Sequence, residues 1–185
     1  MAISDRTKLL LSEQLKEASK STPLSKIKVS ELCAACGIDR RTFYYHFRDI
    51  YDLTAWIFIN DVDKFLPGRS AGADMPGLAG ALSRIQEYAY FYRRALSEDS
   101  QNSLGRFILH HSQEFYEREL KLSLEITELT AEDRFAVRFY CFGILGMIRG
   151  WLFSDCTPPP AQMADMLIYS MPQTMRRLIE YNGGK

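Results

Sequence analysis

The sequence predicts an all-α protein with about eight helices: an N-terminal three-helix unit containing a helix-turn-helix, residues 1–49, and a helical body, residues 50–185. Three observations carry that prediction. Apolar residues recur at three- and four-residue intervals through most of the chain. Helix start and stop signals punctuate it, with Ser, Asp or Thr ahead of a stripe and Gly or Pro behind it. Strand-like alternation, internal repeats and low-complexity tracts are missing.

The first helix covers residues 4–20. Ser4 is placed to cap it, Asp5 suits its positive end, and Leu10, Leu11, Leu15 and Ala18 form one face. After Ser21-Thr22-Pro23, residues 27–35 lead into a second helix with Val29, Leu32, Cys33 and Cys36 inward, and Gly37 supplies the turn's backbone freedom. Asp39 is a good N-cap for the third helix, its carboxylate placed to accept from the Thr42 amide. Phe43 and Phe47 point inward, which turns Arg40, Arg41, Thr42, Tyr44, Tyr45 and His46 outward. Asp49 caps a fourth helix, roughly 50–65, whose stripe Leu53, Trp56, Ile57 and Asn60 joins the N-terminal unit to the body.

Residues 67–76, PGRSAGADMP, read as a loop. Leu78, Ala81, Leu82, Ile85, Ala89 and Tyr92 mark a fifth helix. A polar break at 98–103 precedes a sixth, marked by Leu104, Phe107, Ile108, His111, Phe115 and Leu122. Thr130 caps a seventh helix, about 131–153. DCTPPP is a stiff connector whose prolines can open a helix but not continue one. Met163, Met166, Leu167, Met171, Met175, Leu178 and Ile179 stay in phase across Pro172, predicting one kinked final helix.

A third helix this crowded with cationic, hydroxyl and aromatic groups suits a phosphate backbone and the groove beside it. Charge agrees. Residues 1–48 hold nine basic and five acidic residues, and the remainder holds fourteen and eighteen, so a basic head sits on an acidic body of a neutral chain. The polar opening MAISDRTKLLLSEQ does not read as a secretory signal. With four cysteines and no export signal, reduced thiols and a cytoplasmic location are expected. The apolar run 139–153 has 15 residues and contains Arg149, which predicts a buried helix rather than a membrane span.

At Leu32–Phe47, LCAACGIDRRTFYYHF, the chain resembles the TetR (tetracycline-repressor) family of bacterial transcription regulators. The matching residues are Val29, Leu32, Gly37, Ile38, Thr42, Phe43, Tyr44, His46 and Phe47, then Asp49 and Leu53. FGILGMIRGWLF and its Pro-rich sequel resemble the C-terminal domain of a subgroup that includes activator-type regulators of dihydroxyacetone metabolism. The resemblance implies a homodimer whose third helices enter successive major grooves of a pseudo-palindrome on double-stranded DNA. It implies base-edge contact by Arg40, Arg41 and Tyr45, and phosphate contact by Lys28, Thr42, Tyr44 and His46. The chain departs from the family at Ile50, where Lys is common, at Arg41, where a small residue is common, and at Lys28, where Thr is common.

Cys33 and Cys36 form C-x-x-C, but a structural zinc needs two further ligands, so both read as small apolar residues. No nucleophile–base pairing, metal or cofactor is expected, and a thiol redox enzyme is the remote rival. Tyr88, Tyr92, Phe107, His111, Phe115 and Trp151 are candidates to line an effector cavity, since buried Tyr and His tips need partners. Arg149 must find a carboxylate, an interface rim or an anionic ligand. Gly143, Gly146 and Gly150 make a flat strip that predicts a dimer contact, packed with Met163, Met166, Met171 and Met175. A body that recruits a protein co-regulator instead of a small effector is the nearer alternative.

Overall fold

The computed structural model describes residues 3–62, 65, 75–97 and 103–182. Every regular element among them is helical: α1 (Ile3–Ser19), α2 (Val29–Cys36), α3 (Arg40–His46), α4 (Ile50–Val62), α5 (Met75–Glu87), α6 (Ala89–Ser97), α7 (Leu104–Leu124), α8 (Ala131–Phe153), α9 (Pro160–Tyr169) and α10 (Gln173–Asn182), with one 3-10 turn at Leu24–Lys26. The predicted loop 67–76 and polar break 98–103 lie mostly outside the described residues; Met75 and Pro76 already belong to α5, and Ser103 is the N-cap of α7.

Two expected helices are each divided, which accounts for ten instead of about eight. The fifth breaks at Tyr88, whose carbonyl accepts from both Phe91 and Tyr92 to start α6. One residue out of helix leaves the apolar phase almost unchanged, so the sequence reads as continuous. The final helix breaks at Met171-Pro172 rather than kinking. Pro172 has no N–H to continue α9. Its carbonyl accepts from Met175 and Arg176 to open α10. The Arg176 guanidinium fills the gap by donating to the Tyr169 and Met171 carbonyls at 3.1 and 3.3 Å.

Local signals elsewhere match the structure closely. Asp49 accepts from the Asp52 amide at 2.8 Å. Thr130 and Asp133 form a reciprocal capping box on α8, and Pro160 stands in the first turn of α9. Ser4 is the exception: α1 already starts at Ile3, so Ser4 lies inside its first turn.

A continuous buried cluster runs from Leu11 and Leu15 of α1 through Phe43, Leu53 and Leu82 to Leu152 and Leu167. Head and body therefore share one core along α4. A smaller cluster (Leu120, Val137, Tyr140, Met175 and neighbours) joins α7, α8 and α10. Three predicted inward residues point out: Leu10, Asn60 and Leu122 are exposed, while Phe58 and Asp61 take inward positions on α4.

Candidate nucleic-acid interface and the body behind it

Both ends of α3 are fixed locally. Gly37 ends α2 in the left-handed region, φ 65° and ψ 30°. Its N–H donates to the Ala34 carbonyl at 3.2 Å and that of Ile38 to the Cys33 carbonyl at 3.1 Å, which closes α2 and turns the chain. The Asp39 carboxylate then accepts from the Thr42 amide at 2.7 Å and from its hydroxyl at 3.1 Å. These bonds hold the Asp39 carboxyl below its usual range. Phe43 and Phe47 anchor the helix from beneath, with Trp56 of α4 edge-on to Phe47 at 6.0 Å.

What remains of α3 faces outward. Arg40, Arg41, Tyr44 and Tyr45 are exposed, Tyr45 by 83%, and Thr42 and His46 are half-buried. The Arg40 guanidinium lies over the Tyr44 ring at 5.8 Å, and the neighbouring Tyr44 hydroxyl raises its pKa. Tyr45 meets His46 edge-on at 5.0 Å. Burial, and secondarily Lys8, keep the His46 imidazole below its usual pKa. Lys28 is exposed at the start of α2 beside Glu31, at 3.5 Å. The Thr42 hydroxyl is committed to Asp39, so its placement serves the cap first. Burial pushes the Cys33 and Cys36 thiols up, the opposite of what a redox nucleophile needs.

In the body, α4 to α8 enclose an apolar cavity of about 80 Å³. Tyr92, His111 and Phe115 line it, together with Phe58, Val62, Leu82, Tyr116 and Cys141, which sequence reasoning missed. Burial raises the Cys141 thiol to about 11. Tyr88, Phe107 and Trp151 are absent from the lining, which corrects that expectation. Phe107 stacks on His111 at 5.5 Å instead. Trp151 is buried, and its indole N–H donates to the Pro158 carbonyl at 2.6 Å.

Tyr88 belongs to a buried charge cluster between head and body. Lys16 of α1 and Asp61 of α4 have side chains only 3% and 1% exposed, and they pair at 2.9 Å. Arg84 of α5 reaches the other Asp61 oxygen at 3.3 Å and Glu87 at 2.7 Å. Burial alone would lower the Arg84 pKa, but the bond to Glu87 and the charge of Asp61 raise it well above its usual value. The Tyr88 ring packs against both cations, 3.9 Å from the Lys16 ammonium and 4.4 Å from the Arg84 guanidinium. Tyr92 closes the set: its hydroxyl donates to Asp61 at 3.3 Å, and burial followed by the Asp61 charge pushes its pKa well up. The Tyr92 side chain thus touches both cavity and charge cluster. A sequence signal existed. Ser12, Lys16 and Ser19 share a buried stripe of α1, and Asp61 sits in phase with Thr54 and Phe58.

The long helix α8 leaves one face uncovered. Phe135, Phe139, Phe142 and Phe153 are more than half exposed. Gly143, Gly146 and Gly150 share that surface, where an added Cβ would meet nothing within 4 Å. Met166 is also exposed, as is Tyr169. Met163, Met171 and Met175 are buried within the chain's own clusters, so they are corrected from interface to core. Helical phase alone cannot separate those two uses of methionine.

The profile of a transcriptional regulator C-terminal region of the TetR type matches residues 75–173, more than half of the chain. The solved structure of the dihydroxyacetone kinase operon activator DhaS superposes with a TM-score of 0.64 at 20% identity, covering 89% of this chain and 96% of that one. A TetR-family transcriptional regulator from Streptomyces coelicolor superposes with a TM-score of 0.54 at 16% identity, covering 98% and 89%. No curated protein matches the sequence significantly. The all-helical fold, the turn at Gly37 and this match agree: the chain belongs to the TetR family of transcriptional regulators.

Proposed function

We propose that the protein is a cytoplasmic, homodimeric regulator that binds a pseudo-palindromic operator in double-stranded DNA. The observation that carries this reading is the outward face of α3, where Arg40, Arg41, Tyr44, Tyr45 and His46 project from a helix fixed by Asp39 below and Phe43 and Phe47 behind. Arg40, Arg41 and Tyr45 reach base edges, Lys28, Tyr44 and His46 hold phosphates, and Thr42 joins them when its hydroxyl turns from Asp39 to the DNA. The uncovered face of α8 supports the dimer. A twofold contact there buries Phe135, Phe139 and Phe153 of each protomer and lets backbones approach at the glycines. Two heads so joined can address grooves about 34–36 Å apart.

The cavity suits a small apolar effector. Its volume of about 80 Å³ is roughly half that of an engineered cavity known to hold benzene. An occupant that displaces the Tyr92 ring loosens its hydroxyl from Asp61, and with it the seat of Lys16 on the head. Such a ligand shifts the heads only by its differential affinity for the two arrangements. The smallness of the cavity also favours a second reading, in which the body docks a protein co-regulator.

Selection of bound sequences from a random DNA pool tests the central reading, with the Arg41→Ala/Tyr44→Ala double variant as control. The native chain should enrich a pseudo-palindrome and the control should not. Equal, unenriched pools at low salt would overturn it.

A further inference from the structure

A groove of about 650 Å³ runs between α7 and α8, outside the cavity and away from α3. Arg106, Arg138, Arg149, His110 and Gln113 line it over an apolar floor that includes Phe142 and Leu145, and no carboxylate is among its lining residues. That is unexpected in a body with a net negative charge. His110 turns to Glu114 at 3.3 Å, outside the lining.

The three arginines stand apart from the rest. Elsewhere in the body, each arginine whose side chain is described holds an acceptor: Arg84 and Arg93 an aspartate, Arg94 the Lys20 carbonyl, Arg118 and Arg134 a glutamate, Arg176 two carbonyls. Arg106, Arg138 and Arg149 hold none among the described residues, yet they gather in one groove. A second observation concerns the start of α7. Its N-cap, Ser103, is 3% exposed and lines the same groove, but its hydroxyl makes no capping bond and has no partner among the described residues. A buried hydroxyl without a partner is costly. It stands at the positive end of a 21-residue helix, where unpaired backbone N–H groups favour an anion.

We infer that this groove is a binding site for a small, phosphate-bearing polyanion. Arg106, Ser103 and the α7 N-terminus receive one phosphate group. Arg149 faces the same end from α8. Arg138, three helical turns away, and Gln113 receive anionic oxygens at the other end. Guanidinium forks match phosphate oxygens in pairs. Phe142 offers an apolar surface to whatever joins the charged ends. The site shares only Leu96 and Leu145 with the wall of the apolar cavity and does not depend on the operator reading.

Calorimetric titration of the full chain with sodium pyrophosphate at low ionic strength tests it. Saturable binding at one site per protomer is expected. Arg106→Ala and Arg149→Ala should each weaken it about tenfold or more, and Ser103→Ala by less. Arg118→Ala, farther along α7 on Glu119, should leave it unchanged. Unchanged melting curves would show that these substitutions, three at exposed arginines and one at the buried Ser103, leave the fold intact. No saturable heat, or equal loss in Arg106→Ala and Arg118→Ala, would overturn the inference. So would absent pyrophosphate binding in a protein whose Arg106→Ala and Arg149→Ala variants lose affinity for a random DNA duplex, because the groove would then serve the DNA backbone.

Discussion

α3 and the outer face of α8 both present aromatic rings to solvent, and they do so with opposite chemistry. On α3 the rings are Tyr44 and Tyr45, each with a hydroxyl, flanked by Arg40, Arg41 and His46. On α8 they are Phe135, Phe139, Phe142 and Phe153, without polar tips and spaced by open glycines. Exposure alone therefore identifies no partner. The polar complement does: the first set can satisfy phosphate and base edges, whereas the second gains only by losing water. One surface belongs to the head and the other to the body, and the two share one core, so whatever couples them must pass through the contact between head and body.

The largest effect is expected at that contact. Asp61→Asn leaves the buried Lys16 with only the exposed Glu13 carboxylate, at 3.6 Å, and should cost about 3–5 kcal/mol of stability in denaturant melts. Asp61→Asn/Lys16→Met should recover most of the loss, because an apolar side chain does not need the partner. A double variant no more stable than the single would show that the pair contributes by shape rather than charge. Next comes α8. Phe139→Asp should raise the dimer dissociation constant about a hundredfold in sedimentation equilibrium and leave the helical circular dichroism unchanged. An unchanged dissociation constant would place the subunit contact elsewhere and remove the contrast between the two aromatic faces.

A smaller loss is expected on α3. Arg41→Ala should weaken operator binding about 10- to 100-fold and relax base preference at one position in each half-site. A loss that is uniform across sequences would assign Arg41 to phosphate. The smallest effect concerns His46. Its folded pKa is depressed by burial and Lys8. The unfolded chain therefore binds more protons below about pH 6.5, and stability falls as pH falls through that window. A phosphate favours the imidazolium, so operator affinity should move the other way and rise as pH falls, by less than the tenfold per pH unit that one proton allows. Phosphate contact by His46 predicts that His46→Gln removes both slopes.

The parts legible in the sequence are those decided within a few residues. Asp39 to Thr42, Thr130 to Asp133 and the left-handed Gly37 are local contacts, and the structure has all three. What escaped is decided by side-chain contacts that periodicity does not carry, some across a single turn and some across the fold. Whether Pro172 kinks or breaks a helix depended on Arg176 being able to satisfy the carbonyls left open. Whether Met163, Met171 and Met175 served core or interface depended on which neighbours covered them. Trp151 looked like a cavity residue because its partner, the Pro158 carbonyl, lies in a turn whose path periodicity cannot give. Only the fold brings Lys16 and Asp61 together.

The charge cluster at Asp61 limits how freely this protein can exchange parts. A DNA-reading head is naturally regarded as a cassette, transferable between bodies to make a regulator with new specificity. Here the body keeps a buried carboxylate that expects a cation from the incoming first helix. A donor head with Leu at the position of Lys16 would leave Asp61 to Arg84 and Tyr92 alone, and the chimera would lose stability before its specificity could be read. Heads compatible with this body are those that bring their own lysine.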